Sequence, residues 1–488
     1  MRKLLTILLL LALLLTTVPM VAFAQTTISN EAEEHILNEL NRANIPNAAI
    51  AVIQNGETSY ILKDSEYDTL FQIGSISKSF TGFGVLLLED MGLLSVSDTV
   101  NHHLPWFEVH YNGVPVPHDD ITIYNLLHHT SGFTSDERRF PSTTEEMTKD
   151  EMIAQLVGVE LEFYPSSGFR YGNVNYIILG FIIEAVSGQS YNEFMTQNVL
   201  HPLGLYNTFT NARRAHDTGR VIGGHRLGFL RPRPHNIEWA SLTMPTGSMY
   251  SSISDMARWA GVHLGTVEIS EQFQRVVQRS HIHHHATDTP FAGQTFGYGS
   301  AMIYGAGWLV LENSEIGHGG GTHGYISDLK IFPDRDMAVV VLSNLRQFDI
   351  TQWVPLIVDA VDGNFTRLGL DIWAIADIAF MVIIAIGILF AILFVRLAIK
   401  VSKHIRNKEK VEAKLRIRSL IAPILTLLLS IAGLLFIYIF NPSSLPFSDL
   451  VLTVPASGMP AVIAVWVTAA HSLFSLWAKV FVNPRVGK

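Results

Sequence analysis

Ser75 and Lys78, in the stretch FQIGSISKSF at residues 71–80, are the residues whose types and spacing could do chemistry. Three helical residues turn the chain by about 300°, so the lysine returns over the face that carries the serine. A serine hydroxyl is a weak nucleophile at neutral pH, and an amine neutralised by burial can take its proton. Ile76, Phe80, Phe83, Leu87, Leu88 and Met91 recur at three- and four-residue intervals behind the pair, which predicts a helix, and Gly92 supplies its stop. Taken alone, Ser75 reads equally as a helix N-cap. Ser327 and Lys330 repeat the same tetrad in a strand pattern, where positions three apart point to opposite faces, so that pair is not expected to meet.

The elements around the pair begin with AAIAVIQNGETSYILK at residues 48–63, two apolar strands about Asn55-Gly56 and hence a hairpin. ITIYNLLHHTSGF, residues 121–133, reads as a short helix ending in a Ser-Gly turn, with His128 and His129 as packing or capping groups. A helical middle follows, with segments over 175–186 and 191–199, opened by Tyr171-Gly172-Asn173. MPTGSMYSSISDMARWA, residues 244–260, is a turn followed by a helix capped by Ser252 or Ser254. From about 296 the pattern returns to strands, with Pro333-Asp334-Arg335-Asp336 as a turn in an antiparallel meander. The expected fold is α/β (α+β), an antiparallel sheet closed by distant segments, flanked by helices and carrying a helical subdomain.

Composition narrows the function classes. The chain has 488 residues, 48% of them hydrophobic, and the excess sits in the first 24 residues and after residue 370. Between residues 25 and 370, 20 Lys plus Arg face 38 Asp plus Glu, a balance that disfavours nucleic-acid binding. Four of those cations are lysines, so Lys78 is not one of a crowd. There is no cysteine, which excludes disulfides and thiol chemistry. HIHHH at 281–285 reads as a polar loop, because no partner stands at a metal-ligand spacing.

Residues 1–24, basic and then apolar up to Ala22-Phe23-Ala24, have the pattern of a cleavable secretory signal. Three apolar stretches, about 373–395, 417–440 and 450–474, are each long enough to span a bilayer. The loop KVSKHIRNKEKVEAKLRIR and the C-terminal tail are basic, which places both on the cytoplasmic side and residues 25–370 outside. The expected organisation is therefore a signal at 1–24, an extracytoplasmic domain at 25–370 and a three-helix membrane domain at 371–488. Asp377 and His471 lie near span ends and read as interface residues.

Ser75-x-x-Lys78, Tyr171-x-Asn173 and His318-Gly319-Gly320, in that order, resemble the serine β-lactamase and penicillin-binding protein superfamily, in particular its class C β-lactamase and DD-peptidase branch. The neighbouring text, including HPLGLYNT, YGAGW and GHGGGTHGY, is similar too, and the resemblance covers roughly residues 35–350. It implies acyl transfer through Ser75, with Lys78 and Tyr171 moving protons and Asn173 orienting Lys78 and the substrate amide. It also implies an oxyanion hole of the Ser75 and Gly321 N–H groups, with His318 and Gly320 on the strand lining the cleft. No cofactor or metal is expected, and the substrate would be a small molecule or peptide.

The lysine of the family's Lys-Thr-Gly pattern is replaced by His318, only partly charged at neutral pH. A strong fixed cation for a β-lactam carboxylate is missing, which favours a peptidase, amidase or esterase over a β-lactamase. An exported domain ahead of three spans is similar to membrane-bound prodrug-activating D-asparaginyl peptidases of the colibactin-maturation type. A β-lactam-sensing receptor is a further reading, disfavoured by the lack of a cytoplasmic output domain.

Overall fold

The structure, a computed structural model, describes residues 28–133, 147–235, 241–282, 302–311, 314–346, 350–369 and 372–407, together with Val465, Thr468 and His471. The expected signal segment, His283 to His285 of the histidine run, and the second and third apolar stretches apart from those three residues lie outside the described residues.

Seven strands form the main sheet: β1 (Ala48–Gln54), β2 (Glu57–Lys63), β3 (Met302–Tyr304), β4 (Leu309–Leu311), β5 (Ile316–Gly321), β6 (Ile326–Phe332) and β7 (Met337–Ser343). Their order is β3-β4-β5-β6-β7-β1-β2, antiparallel throughout. β1 and β2 are joined by Asn55 and Gly56, both at positive φ, as a tight primed hairpin turn requires. β1 pairs with β7 from Ala48 opposite Ser343 to Gln54 opposite Met337, so the first strand of the domain closes against the last.

β1 is apolar at nearly every position because both of its faces are covered. Ala48, Ile50 and Val52 join one core with helices α1 (Asn30–Arg42) and α5 (Ile350–Val361), while Ala49, Ala51 and Ile53 face the larger core. That larger core holds α2 (Ser77–Asp90), α3 (Asn173–Ser187) and α4 (Ile253–Leu264). α4 starts on Ser252, one of the two caps the sequence offers, whose side chain accepts from the Asp255 N–H. α2 is buried from Ser77 through Leu88, which explains a run apolar on more than one face.

The predicted helix start at Ser75 is corrected by two residues. Residues Gly74–Ile76 form a 3-10 turn and the α-helix begins at Ser77. Gly74 has φ +51°, a conformation that ends regular structure just before the serine. Ser75 is not an N-cap: Ile76 occupies that position, and Ser77 Oγ donates to Gly74 O at 2.7 Å.

The first apolar stretch lies in α6 (Ile372–Asn407), whose segment Ala374–Leu393 is long and apolar enough to cross a membrane. Among the described residues it is the one such helix, so a three-helix membrane region is not supported by them. Ile375, Ile378, Val382, Ile388 and Leu389 are exposed, whereas Ala376, Asp377 and Phe380 are buried against the rest of the chain.

Candidate active site

Three other segments converge on the Ser75 turn. Ser75 itself is half-buried, and one turn on, Lys78 is fully buried. Lys78 Nζ donates to Ser75 Oγ at 3.1 Å, to Asn173 Oδ1 at 2.8 Å and to the Thr246 carbonyl at 2.7 Å. Three N–H bonds directed at three acceptors hold the amine against the hydroxyl. Asn173 is the first residue of α3, and its Oδ1 also accepts from Thr246 Oγ1 at 2.8 Å. Lys78 Nζ lies 4.8 Å from the centre of the Tyr171 ring, so Tyr171 flanks the same amine.

The third segment is the end of β5. Thr322 N donates to Tyr325 O, which makes Gly321 and Ile326 the non-hydrogen-bonded pair of this antiparallel ladder. The Gly321 N–H therefore points away from β6. A Cβ on Gly74 would lie 2.4 Å from that nitrogen, so the Ser75 turn and Gly321 sit backbone against backbone. Gly320 is needed for the same approach, since a Cβ there would lie 2.1 Å from Ile73 O. The N–H of Gly321 thus lies beside the turn that carries Ser75, where an oxyanion would form.

His318 stands on this strand, and its burial corrects the expectation of a partly charged group. It is 1% exposed, and burial first, then the nearby Lys78 charge, pushes its pKa down to about 3. Its Nδ1–H donates to Gly319 O at 2.6 Å, leaving Nε2 of the neutral ring facing Tyr304 Oη at 3.0 Å. The position of the family's lysine thus carries a neutral imidazole.

Sequence reasoning did not single out Thr246, whose contribution is a backbone carbonyl and a hydroxyl, nor Tyr304, which partners His318. The quoted strings MPTGSMYSS and YGAGW contain both residues, and that was the only signal. His129 is a packing group, as expected, though placed at the site. Its Nδ1 accepts from Asn175 Nδ2 at 3.0 Å and from the Gly172 N–H at 3.4 Å, and its ring lies 4.6 Å from those of Tyr171 and Tyr304. Burial, with Lys78, His318 and His128 adding repulsion, holds its pKa well below the usual value. Ser327 and Lys330 occupy β6 and do not meet: Ser327 Oγ donates to Ile73 O at 2.8 Å, and Lys330 pairs with Glu315 at 2.7 Å.

The geometry brings together a hydroxyl, a buried amine, a tyrosine ring, an amide and a backbone N–H, a set suited to acyl transfer. No cluster of three metal-ligating side chains occurs among the described residues.

A family model described as Beta-lactamase matches residues 31–360. Protein flp of Staphylococcus aureus (strain COL) is 28% identical over 352 residues, covering 68% of this chain and 66% of that protein. A penicillin-binding protein of Bacillus subtilis (strain 168) is 27% identical over 300 residues, covering 57% of this chain and 62% of the relative. The chain thus matches just under two thirds of the length of these curated relatives. Among solved structures, a class C beta-lactamase superposes with a TM-score of 0.58 at 17% identity, covering 72% of this chain and 99% of that one. A mutant of a class C beta-lactamase gives 0.57 at 18% identity, covering 68% and 96%.

Proposed function

Since the chain belongs to the beta-lactamase family of serine hydrolases, we propose that it is an exported, membrane-anchored hydrolase that acylates Ser75 and releases the acyl group to water. Its preferred substrates are acylated compounds or peptides containing D-amino acids, either a capped natural product or a cell-wall stem. The observation that carries the hydrolase reading is the triple anchoring of Lys78 Nζ on Ser75 Oγ, Asn173 Oδ1 and Thr246 O.

In this mechanism Ser75 Oγ adds to the scissile carbonyl while its proton passes to Lys78 Nζ in the neutral amine form, reversing the hydrogen bond between them. The Ser75 and Gly321 N–H groups hold the oxyanion. The carbon–nitrogen bond then breaks as the leaving amine receives a proton through Tyr171, giving the Ser75 ester. A water molecule then adds to the ester carbonyl and gives its proton to Lys78 Nζ; the acyl–Oγ bond breaks, the acid leaves, and that proton returns to Ser75 Oγ. Asn173 keeps Lys78 aimed at Ser75 throughout. No step calls for a metal or cofactor.

The neutral His318 favours amide or ester substrates over β-lactams, because it offers no cation to a β-lactam carboxylate at that position. Esterase and β-lactamase activity on the same fold are the alternatives, and a β-lactam-sensing receptor is the remaining one. The membrane reading rests on Ala374–Leu393 and on the three-span organisation expected from the sequence. That arrangement is similar to membrane-bound prodrug-activating peptidases of the D-asparaginyl type, and it suits an anchored cell-wall enzyme equally.

The test offers the full chain N-acyl-D-Asn amides, D-Ala-D-Ala stems, an activated ester and a chromogenic cephalosporin. Turnover of the first or second with slow cephalosporin turnover is expected. Fast cephalosporin turnover would overturn the reading of His318, and long-lived acylation without turnover would point to the receptor.

A further inference from the structure

Residues 225–234, HRLGFLRPRP, form a hairpin outside the main sheet, with His225–Gly228 paired to Arg231–Pro234. Its two turn residues, Phe229 and Leu230, both have positive φ, +56° and +57°. That two-residue turn ordinarily takes Asn-Gly, as at residues 55 and 56, because large side chains are strained there. This hairpin instead keeps two large apolar groups at its tip, exposed at 42% and 40%. Arg231 and Arg233, also exposed, follow directly, and the hairpin contains no acidic residue in a domain with a large acidic excess.

The tip is tied to the apolar helix. The Leu230 N–H donates to Asp377 Oδ2 at 2.5 Å, and Asp377 is fully buried. Asp377 is three residues into Ala374–Leu393, so it stands where such a helix enters the bilayer. The hairpin's other end reaches the candidate site. His225 N donates to Asn344 O at 2.8 Å and to Gly324 O at 3.1 Å, and Arg346 N donates to His225 O at 3.0 Å. The Arg346 guanidinium lies beside Gly321, 3.3 Å from where a Cβ on that glycine would be.

We propose that Phe229 and Leu230 seat in the headgroup layer of the membrane crossed by α6, and that Asp377 latches the hairpin there. The bilayer then holds one wall of the catalytic cleft. Apolar side chains at the tip with arginines behind them suit the boundary between acyl chains and anionic headgroups. Continuity with the spanning helix fixes the depth of the tip at that boundary. The proposal rests on the membrane reading above.

The absence of cysteine allows single-site labelling of the full chain. Phe229→Cys carries an environment-sensitive fluorophore in vesicles of phosphatidylcholine and phosphatidylglycerol, and Val114→Cys, at a position 63% exposed elsewhere on the domain, is the control. Quenching of the 229 label, but not the 114 label, by lipids spin-labelled at the headgroup end is expected. Equal quenching at both positions, or none at 229, overturns the proposal. Protection of 229 from aqueous iodide without lipid quenching also overturns it, since a second copy would then be the cover. Release of the wild-type chain from vesicles by alkaline washing would instead defeat the membrane reading itself. Asp377→Ala should weaken the lipid quenching and raise KM roughly fivefold with kcat little changed, and Asp377→Asn, which keeps an acceptor oxygen, should restore both. An Asp377→Ala chain matching the wild type in quenching and KM would sink the latch.

Discussion

The chain carries Ser-x-x-Lys twice, in two regions that solve the tetrad differently. At Ser75 the serine sits on a 3-10 turn and the lysine on the first turn of α2, and the two side chains meet at 3.1 Å. At Ser327 both lie on β6, opposite Gly320 and Gly317, and the side chains part to Ile73 O and to Glu315. The difference shows that backbone curvature decides whether the side chains of the tetrad meet. It also shows that the second copy supports the first, because Ser327 Oγ donates to the carbonyl of Ile73, two residues before Ser75.

The sharpest way to break the contrast is to remove the reacting groups. Ser75→Ala and Lys78→Ala should each lower kcat/KM on an activated ester by about ten-thousand-fold or more, as expected for members of one catalytic unit. Retained activity in either variant would place the chemistry elsewhere. A double variant should lose no more than about the same factor, because the two groups act together.

Next in size is the close approach of the Ser75 turn to Gly321, the proposed oxyanion donors. Gly74→Ala puts a Cβ at 2.4 Å from Gly321 N at a positive φ, so the turn and the strand end must separate. A fall in kcat of about a hundredfold or more is expected, the size seen when one oxyanion donor is lost. Thermal unfolding should also come earlier, by about 5 °C or more. Near-normal kcat would show that Gly321 does not serve the site.

Much of this was legible in the sequence, for reasons that can be located. Asn55-Gly56, the Ser252 cap and the alternation of β6 are local signals, and each gave its element. The reactive pair could be proposed because helical spacing is a local property too. Other features were not legible because they belong to contacts between distant segments. The neutral state of His318 depends on burial beside Lys78 and Tyr304, and the role of Thr246 depends on a backbone carbonyl that no side-chain pattern announces. Asp377 read as an interface residue, and only the fold shows that it receives the N–H of Leu230.

His318 yields a third test, through pH. Its native pKa of about 3 lies below its ordinary value of 6.5, so between those limits the unfolded chain binds a proton that the native chain refuses. The contribution of His318 to stability is therefore complete above about pH 6.5 and is lost as pH falls toward 3. The buried His129 and His263, also lowered by desolvation, act in the same direction. Urea midpoints measured against pH should fall less steeply on the acid side in His318→Gln than in the wild type. An unchanged slope would mean that His318 is protonated in the native state and is the cation the family's lysine would supply. The kcat/KM profile of the wild type should correspondingly show no limb from His318 near pH 6.5.

The smallest effects belong to the inert tetrad and separate its two members. Ser327→Ala deletes the bond to Ile73 O and should cost about 1 to 2 kcal/mol of stability, with kcat reduced by less than about tenfold. Lys330→Met removes a partly exposed ion pair with Glu315, together with the ammonium 5.5 Å from the centre of the Phe332 ring, and should change stability by less than about 1 kcal/mol. Its activity should equal the wild type's, since Lys330 and Ser327 project from opposite faces of one strand. Ester hydrolysis and urea midpoints measured on both variants decide the matter. A Lys330→Met chain as inactive as Lys78→Ala would show that curvature of the backbone is not what divides the two copies.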